Sequence, residues 1–384
     1  MMGGGLTKVA LVLGVGAICV VLAVVSGLLS IAERRGVLKR HFLVVWVGRL
    51  ATTVTLIGAL CFLWALFIES DWLEITHTKV TTKKWAKGQH LRIAHLSDLH
   101  VDRDSRALTE LTAALRDEPV DLVVFTGDSL NDLGATKLFR TTLGGLNARL
   151  GRVAVRGNHD VVRWAGVDLF GGGVATELVG KGPLILEGDT LSICGAAFGR
   201  HDGLPDCLAG APRGAFTILA YHTPDLVEDL EPKPDLYLAG HTHGGQVALP
   251  GYGALVTFSR FGKKYEAGRY EFGPTTLYVN RGIGFEPHLP RIRFWARPEL
   301  TIIDVEGVGD EPVPEPPPLC GHVTCKENEF CEQHDEPGIP ASATAFCRPL
   351  PQDCHARRTC ECVLETMLGQ SQCEVRSGAM FLRR

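Results

Sequence analysis

The 384-residue chain lacks an excess of either charge. Its 39 Lys+Arg stand against 43 Asp+Glu, and a net charge of −4 with a pI near 6.4 argues against a general nucleic-acid binder. Its 44 glycines fall far short of every third residue, which excludes collagen. At 45% hydrophobic residues and only 21% charged, it is neither a disordered chain nor a long coiled coil. What it does have is length beyond one small core and a mean hydropathy of +0.10, high for a soluble protein. The averages hide three unlike pieces. The first 68 residues carry six Lys/Arg and one Glu, the middle is near neutral, and residues 306–384 hold seven basic against 13 acidic residues.

Two runs contain no charge at all. Val9 to Ala32 is almost purely apolar and can cross roughly 30 Å of hydrocarbon, and Leu50 to Ile68 is about long enough to do the same. Arg34, Arg35, Lys39, Arg40 and Arg49 lie between them, and the positive-inside rule keeps that short loop cytoplasmic. Residues 1–70 therefore read as a membrane anchor with spans at about 9–32 and 50–68. Everything after about residue 70 is expected outside the cytoplasm of a multi-pass cell-membrane protein. Trp64 and Trp72 fit an interfacial belt. A pair of buried core helices is the bland alternative. Arg34-Arg35 also resembles a twin-arginine export signal, from which Glu33 and Val37 depart; it leaves the following domain on the same side.

From Leu91 onward the pattern alternates between α and β. Short apolar runs read as strands at 91–96, 121–126, 152–156, 216–221 and 235–240, with an amphipathic helix after Asp104 and further helices at Leu138 to Leu150 and Pro224 to Leu230. LILEGDTLSICGAAF and TTLYVNRGIGF read as sheet with glycine turns, which gives an α/β or α+β class with a buried sheet. Each of the five strands is followed by polar residues: Asp98 and His100, Gly127-Asp128, Gly157-Asn158-His159-Asp160, His222, and His241 and His243. Strand ends are where open α/β sheets place their sites, and five strands in one sheet would gather these groups on one rim. Carboxylate, amide and imidazole donors together suit Mn, Fe or Zn rather than Ca. Two such ions sharing a carboxylate can activate a water for hydrolysis of a phosphate ester or anhydride. Taken singly, each element has a plainer explanation as a core histidine or a turn; the ordered set of five does not.

The blocks D-x-H, G-D, G-N-H-[DE], H and G-H-x-H, in that order within residues 98–243, resemble the signature of the calcineurin-like metallophosphoesterase superfamily. The forms SDLH, TGD, GNHD, YHTPD and GHTHGGQVALP, with LYVNRGIG and RPELTI, look like its membrane-anchored bacterial branch, the YkuE/YaeI-like phosphoesterases. The resemblance covers about residues 85–305. It implies a four-layer α/β/β/α sandwich and two divalent metal ions, one held by Asp98, His100, Asp128 and His243, the other by Asp128, Asn158, His222 and His241. It implies that His159 contacts the phosphate or leaving group, and that the nucleophile is a water between the metals. One departure stands out. Many relatives carry an Asp, three residues after the bridging Asp, that pairs with this histidine; here that residue is Asn131, with Asp132 next. Either Asp132 takes that role or His159 acts as a neutral donor. Arg200, His201, Asp202, Arg281 and Arg291 are candidates to line a substrate cleft, and Cys194 and Cys207 are either a disulfide or buried thiols.

Residues 306–319 form a Pro/Glu-rich linker. Eight of the 12 cysteines follow, between Cys320 and Cys373, with few large apolar residues. Residues 320–384 therefore read as a disulfide-stapled module of an oxidising compartment, open to binding an envelope component. Zinc on His322, His334 and His355 is the alternative, although no paired CxxC is present. The expected function is hydrolysis of an envelope or lipid-linked phosphate ester by a membrane-anchored, dinuclear (for example manganese) phosphodiesterase. The competing readings are a pyrophosphohydrolase of nucleotide-linked lipid, against which the expected topology counts, and a catalytically impaired surface receptor.

Overall fold

The computed structural model describes residues 3–35, 42–287, 290–310, 329–333, 345–352, 372–376 and 379–383. Two long helices come first, α1 (Gly3–Arg34) and α2 (Phe42–Phe67). Gly16–Arg34 within α1, and Val45–Asp71 from α2 through the turn that follows it, are long and apolar enough to cross a membrane by length and composition. A 3-10 turn at Glu69–Asp71 leads into β1 (Glu74–Ala86) and β2 (His90–Leu96). Next come α3 (Arg106–Asp117), β3 (Leu122–Phe125), α4 (Thr136–Gly144), β4 (Arg152–Ala154), α5 (Asn158–Arg163) and β5 (Thr176–Glu177). The second half holds β6 (Leu184–Leu186), β7 (Leu191–Gly195), α6 (Leu204–Ala209), β8 (Phe216–Ala220) and β9 (Leu236–Ala239). A small hairpin of β10 (Ala248–Leu249) and β11 (Gly253–Ala254) precedes β12 (Gly268–Phe272), β13 (Thr275–Val279) and β14 (Glu299–Gly309).

The five strands with polar ends divide between two six-stranded sheets instead of sharing one. The first runs β1-β14-β2-β3-β4-β5 and the second β12-β13-β9-β8-β7-β6. Alternation along each strand explains why two sheets can pack. In β2, Leu91 and Ile93 enter one core while Ala94 and Leu96 enter another; in β3, Leu122 and Val124 separate from Val123 and Phe125 in the same way. In β8 and β9, Ile218, Leu236 and Leu238 join Ile93 and Val124 in the core between the sheets, while Leu219, Tyr237 and Ala239 face α6. Uninterrupted apolar runs are thus strands buried on both faces. Three apolar layers separate four structural layers, the α/β/β/α sandwich.

Local chemistry sets the helix ends. α3 is capped by Ser105, whose Oγ accepts from Leu108 N at 3.3 Å, one residue later than the expected Asp104. Its buried residues Ala107, Leu108, Leu111 and Leu115 form one stripe. α4 is shorter than the expected 138–150 and ends at Gly144, and Pro224–Leu226 makes only a 3-10 turn. Cys194 of β7 and Cys207 of α6 form a disulfide, which resolves the alternative left open by their spacing.

Asp310–Arg384 form a separate unit. It carries a four-stranded sheet of Glu329–Gln333, Ala345–Pro349, Gln372–Arg376 and Ala379–Arg383, and Cys331 and Cys347 each take part in a disulfide. Cys320, Cys325, Cys354, Cys360, Cys362 and the three tail histidines lie outside the described residues.

Candidate metal centre

The chain just after β2, β3, β4, β8 and β9 carries the seven expected donors, four after strands of the first sheet and three after strands of the second. Asp98, His100, Asp128, His241 and His243 all adopt positive φ, between 41° and 72°. Non-glycine residues seldom do so, and a group of five marks a place where tight turns aim side chains inward. The loops also touch: a Cβ on Gly157 would collide with the Asp128 side chain and backbone, so only glycine fits there.

His243 Nε2 stands 3.3 Å from Asp98 Oδ1, and His100 Nε2 stands 3.9 Å from that oxygen and 3.5 Å from Asp128 Oδ2. Asp128 Oδ2 is 3.4 Å from His222 Nε2, which in turn lies 2.8 Å from Asn158 Oδ1 and 3.2 Å from His241 Nδ1. Asp128 thus stands between two clusters of donors. Asp98 Oδ1, His100 Nε2 and His243 Nε2 are buried, and among the described residues they have no hydrogen-bond partner. Three orphaned polar atoms facing one another are costly unless a cation accepts them all. The donor types, two imidazoles and a carboxylate converging within 4.8 Å, fit a divalent metal.

The surrounding bonds fix which nitrogen faces the centre. His222 Nδ1 lies 2.8 Å from the Thr126 carbonyl, so Nδ1 carries the proton and Nε2 offers its lone pair inward. Asn131 Nδ2 donates to Phe285 O at 2.8 Å, which leaves its Oδ1 to accept from His100 Nδ1 at 2.8 Å. Asn131 therefore orients His100, not His159. Asp132 is exposed and accepts from Gly134 N at 2.7 Å, so it is not the partner of His159 either.

The partner of His159 is Glu286, with Nε2 and Oε1 3.2 Å apart. Burial lowers the pKa of His159, but the bond to Glu286 and the charge of Asp128 outweigh it and the net shift is upward. Burial likewise raises Glu286, and His159 and the neighbouring imidazoles pull it down. At the centre, burial pushes Asp98 up, yet His243, His222 and His100 hold it well below the carboxylate range. Burial also opposes charge on His222, but Asp128 outweighs it and lifts His222 to about 10, whereas burial drops His100 and His241 to about 4. A buried pair of carboxylates demands positive charge nearby, which is the role a cation fills.

The roles of two further residues, Asp160 and Arg293, were not legible in advance. Asp160 is buried and accepts from the backbone N–H groups of Asp128 (2.8 Å), Ser129 (2.9 Å) and Gly157 (3.0 Å), which locks two of the site loops together. Burial, then the charge of Asp128, raises its pKa to about 6. Arg293 is fully buried, donates to Gly284 O at 2.6 Å and lies 3.4 Å from His243 Nδ1. Of the cleft candidates, Arg281 is spent on Glu299 (3.0 Å) and Glu74 (2.7 Å), Arg291 is paired with Asp102, and Arg200, His201 and Asp202 are exposed beyond β7.

Comparison with known proteins agrees with this geometry. The family described as "Calcineurin-like phosphoesterase" matches residues 91–245. The metallophosphoesterase YkuE of Bacillus subtilis is 31% identical over 70% of this chain and 97% of its own length. The UDP-2,3-diacylglucosamine pyrophosphatase LpxG of Chlamydia muridarum is 26% identical over 67% of this chain and 98% of its own. The phosphodiesterase YaeI of Escherichia coli is 28% identical over 66% and 96%.

Proposed function

The chain belongs to the calcineurin-like metallophosphoesterase family, and from that premise we propose a membrane-anchored phosphodiesterase acting on a lipid-linked phosphate ester. Asp98, His100, Asp128 and His243 would hold one divalent cation and Asp128, Asn158, His222 and His241 the other, with Asp128 shared. The observation that carries the assignment is the set of buried atoms Asp98 Oδ1, His100 Nε2 and His243 Nε2, without a hydrogen-bond partner among the described residues. When bound, the two ions, Mn, Fe or Zn by donor type, supply Lewis acidity and an acidified water.

The protein's own groups do the rest. His159, beside the centre, is kept protonated by Glu286, whose Oε1 shares the Nε2 proton; that proton would pass from this pair to the leaving-group oxygen when substrate binds. Asn131 and the Thr126 carbonyl keep His100 and His222 in the tautomers that present Nε2. The catalytic unit is wider at both ends than the 85–305 expected, because β1 from Glu74 and β14 through Gly309 belong to its first sheet; residues 310–319 would be the linker and residues 320–384 a stapled module available to an envelope partner. α1 and α2 anchor the chain with the catalytic unit outside the cytoplasm. The basic residues between the two helices support that side, and so does the Cys194–Cys207 disulfide, since such bonds persist in oxidising compartments.

Similarity to LpxG favours a second reading, cleavage of the pyrophosphate of a nucleotide-linked lipid. The test uses the full chain in detergent, stripped of metal and reloaded with Mn, Fe or Zn. Substrates are a chromogenic phosphodiester, its monoester and a nucleoside diphosphate lipid. Metal-dependent diester turnover lost in Asp128→Asn is expected; preference for the diphosphate selects the second reading. No metal uptake would overturn both.

A further inference from the structure

The end of α2 is built into the domain that carries the metal centre. Arg293 N donates to Ala65 O in the helix's last turns (3.2 Å), and Ala296 N donates to Glu69 Oε1 (3.0 Å) just beyond it. The other Glu69 oxygen accepts from Trp64 Nε1 at 3.1 Å. Arg297 closes the join from outside. Its guanidinium lies 3.9 Å over the Trp72 ring and donates to the carbonyls of Trp72 (3.2 Å) and Leu73 (3.0 Å), while Trp64 meets Trp72 edge-on at 6.1 Å. The segment from Arg293 to Arg297 is therefore fastened on both sides to the helix and its exit.

Between those fastenings stands Trp295, 63% exposed and at φ 56°. A bulky residue in the left-handed region is strained, and a bare indole leaves a large apolar area in water. Neither is repaid within the described domain. Arg293 meanwhile reaches the other way, to Gly284 O and the His243 ring. A single residue thus reaches from the helix backbone to a candidate metal ligand, which ties the centre to the end of α2.

We propose that Trp295, with Trp64 and Trp72, forms an aromatic seat that sets the domain onto the bilayer in which α2 ends, so that the centre takes phosphate groups of amphiphiles still embedded there. The inference rests on α2 spanning a membrane, as in the function proposed above. The occupant of the seat is the membrane interface because the patch is continuous with the helix's own exit, and because indole rings, apolar with one polar N–H, concentrate at the headgroup level. The rigid join to α2 fixes the height of the centre above the acyl chains, whereas a hinged tether would let it roam.

The test uses the full chain in vesicles of phosphatidylethanolamine and phosphatidylglycerol with brominated acyl chains. The fluorescence of Trp295 is taken as the difference between the wild type and Trp295→Phe, a readout that needs no turnover. Quenching of that component by the brominated chains is expected. Trp295→Asp is expected to lower hydrolysis of a vesicle-borne p-nitrophenyl phospholipid on the order of tenfold while leaving bis(p-nitrophenyl) phosphate unchanged. Protein that resists alkaline carbonate extraction but shows an unquenched Trp295 overturns the seat and leaves the anchor standing; if cross-linking then yields dimers, the patch belongs to a second copy. Equal loss on both substrates also overturns it. Release by carbonate removes the anchor and the inference with it.

Discussion

His159 Nε2 faces Glu286 Oε1 across 3.2 Å, although one residue opens α5 after β4 of the first sheet and the other lies in the loop after β13 of the second. The two sheets must be docked before this pair exists. His159→Ala is expected to lower kcat on the order of 10²–10⁴-fold, and Glu286→Ala to cost less. The double variant should be no worse than His159→Ala alone, because Glu286 acts through the ring. Metal content measured alongside kcat should not change in any of the three.

Asn131 serves a different histidine. Asn131→Leu removes the acceptor of His100 Nδ1, so metal affinity is expected to fall about 10–100-fold, as when other such supporting bonds are lost. Excess metal should restore kcat. Titration of the stripped protein with Mn or Zn checks both statements, and an unchanged affinity with reduced kcat would return Asn131 to the role of His159's partner.

Cys194 and Cys207 close a loop of 13 residues between β7 and α6. Cys207→Ser is expected to cost about 3 kcal/mol, chiefly by freeing the unfolded chain. Thermal unfolding with and without reductant reads the loss. In intact cells the same cysteines should resist alkylation until a reductant is added.

Glu299 is buried and accepts from Thr76 (2.6 Å), Tyr278 (2.7 Å) and Arg281 Nε (3.0 Å). Burial pushes its pKa up, but the charge of Arg281 and these bonds outweigh burial and hold it below the ordinary value of 4.5. A depressed folded pKa means the unfolded chain binds the proton more readily. The stabilisation is therefore complete above about pH 4.5 and is lost as pH falls through the lower folded value. Denaturation midpoints measured down to pH 3 should drop for the wild type and drop less steeply for Glu299→Gln, which starts lower.

What could be read from the chain and what could not follows from the range of each signal. Asp98, His100, Asp128, Asn158, His222, His241 and His243 each stand directly after an apolar run, so local pattern alone marks them. The division of their strands between two sheets is invisible locally, since a strand buried on both faces looks the same in either. Glu286 is one acid in a loop, and only docking of the sheets brings it to His159. Arg293 reads as a surface cation, yet it is fully buried because carbonyls of Arg281, Gly284 and Ala296 receive its protons. Ser105 replaced Asp104 as a cap because two adjacent residues could both serve and only the backbone angle chooses.

β14 lies between β1 and β2, with Glu74 opposite Glu299 in register. A chain leaving the ribosome therefore makes β1 straight after the second apolar helix but has no neighbour for it until some of the domain's last residues emerge. Until then β2 also shows a bare edge on that side. The nascent protein spends most of its synthesis tethered, with two open strand edges, exposed to proteases and to pairing with other chains. Truncation anywhere before residue 299 would arrest it in that state, so quality control has one late event to watch, the insertion of a single strand that closes the sheet.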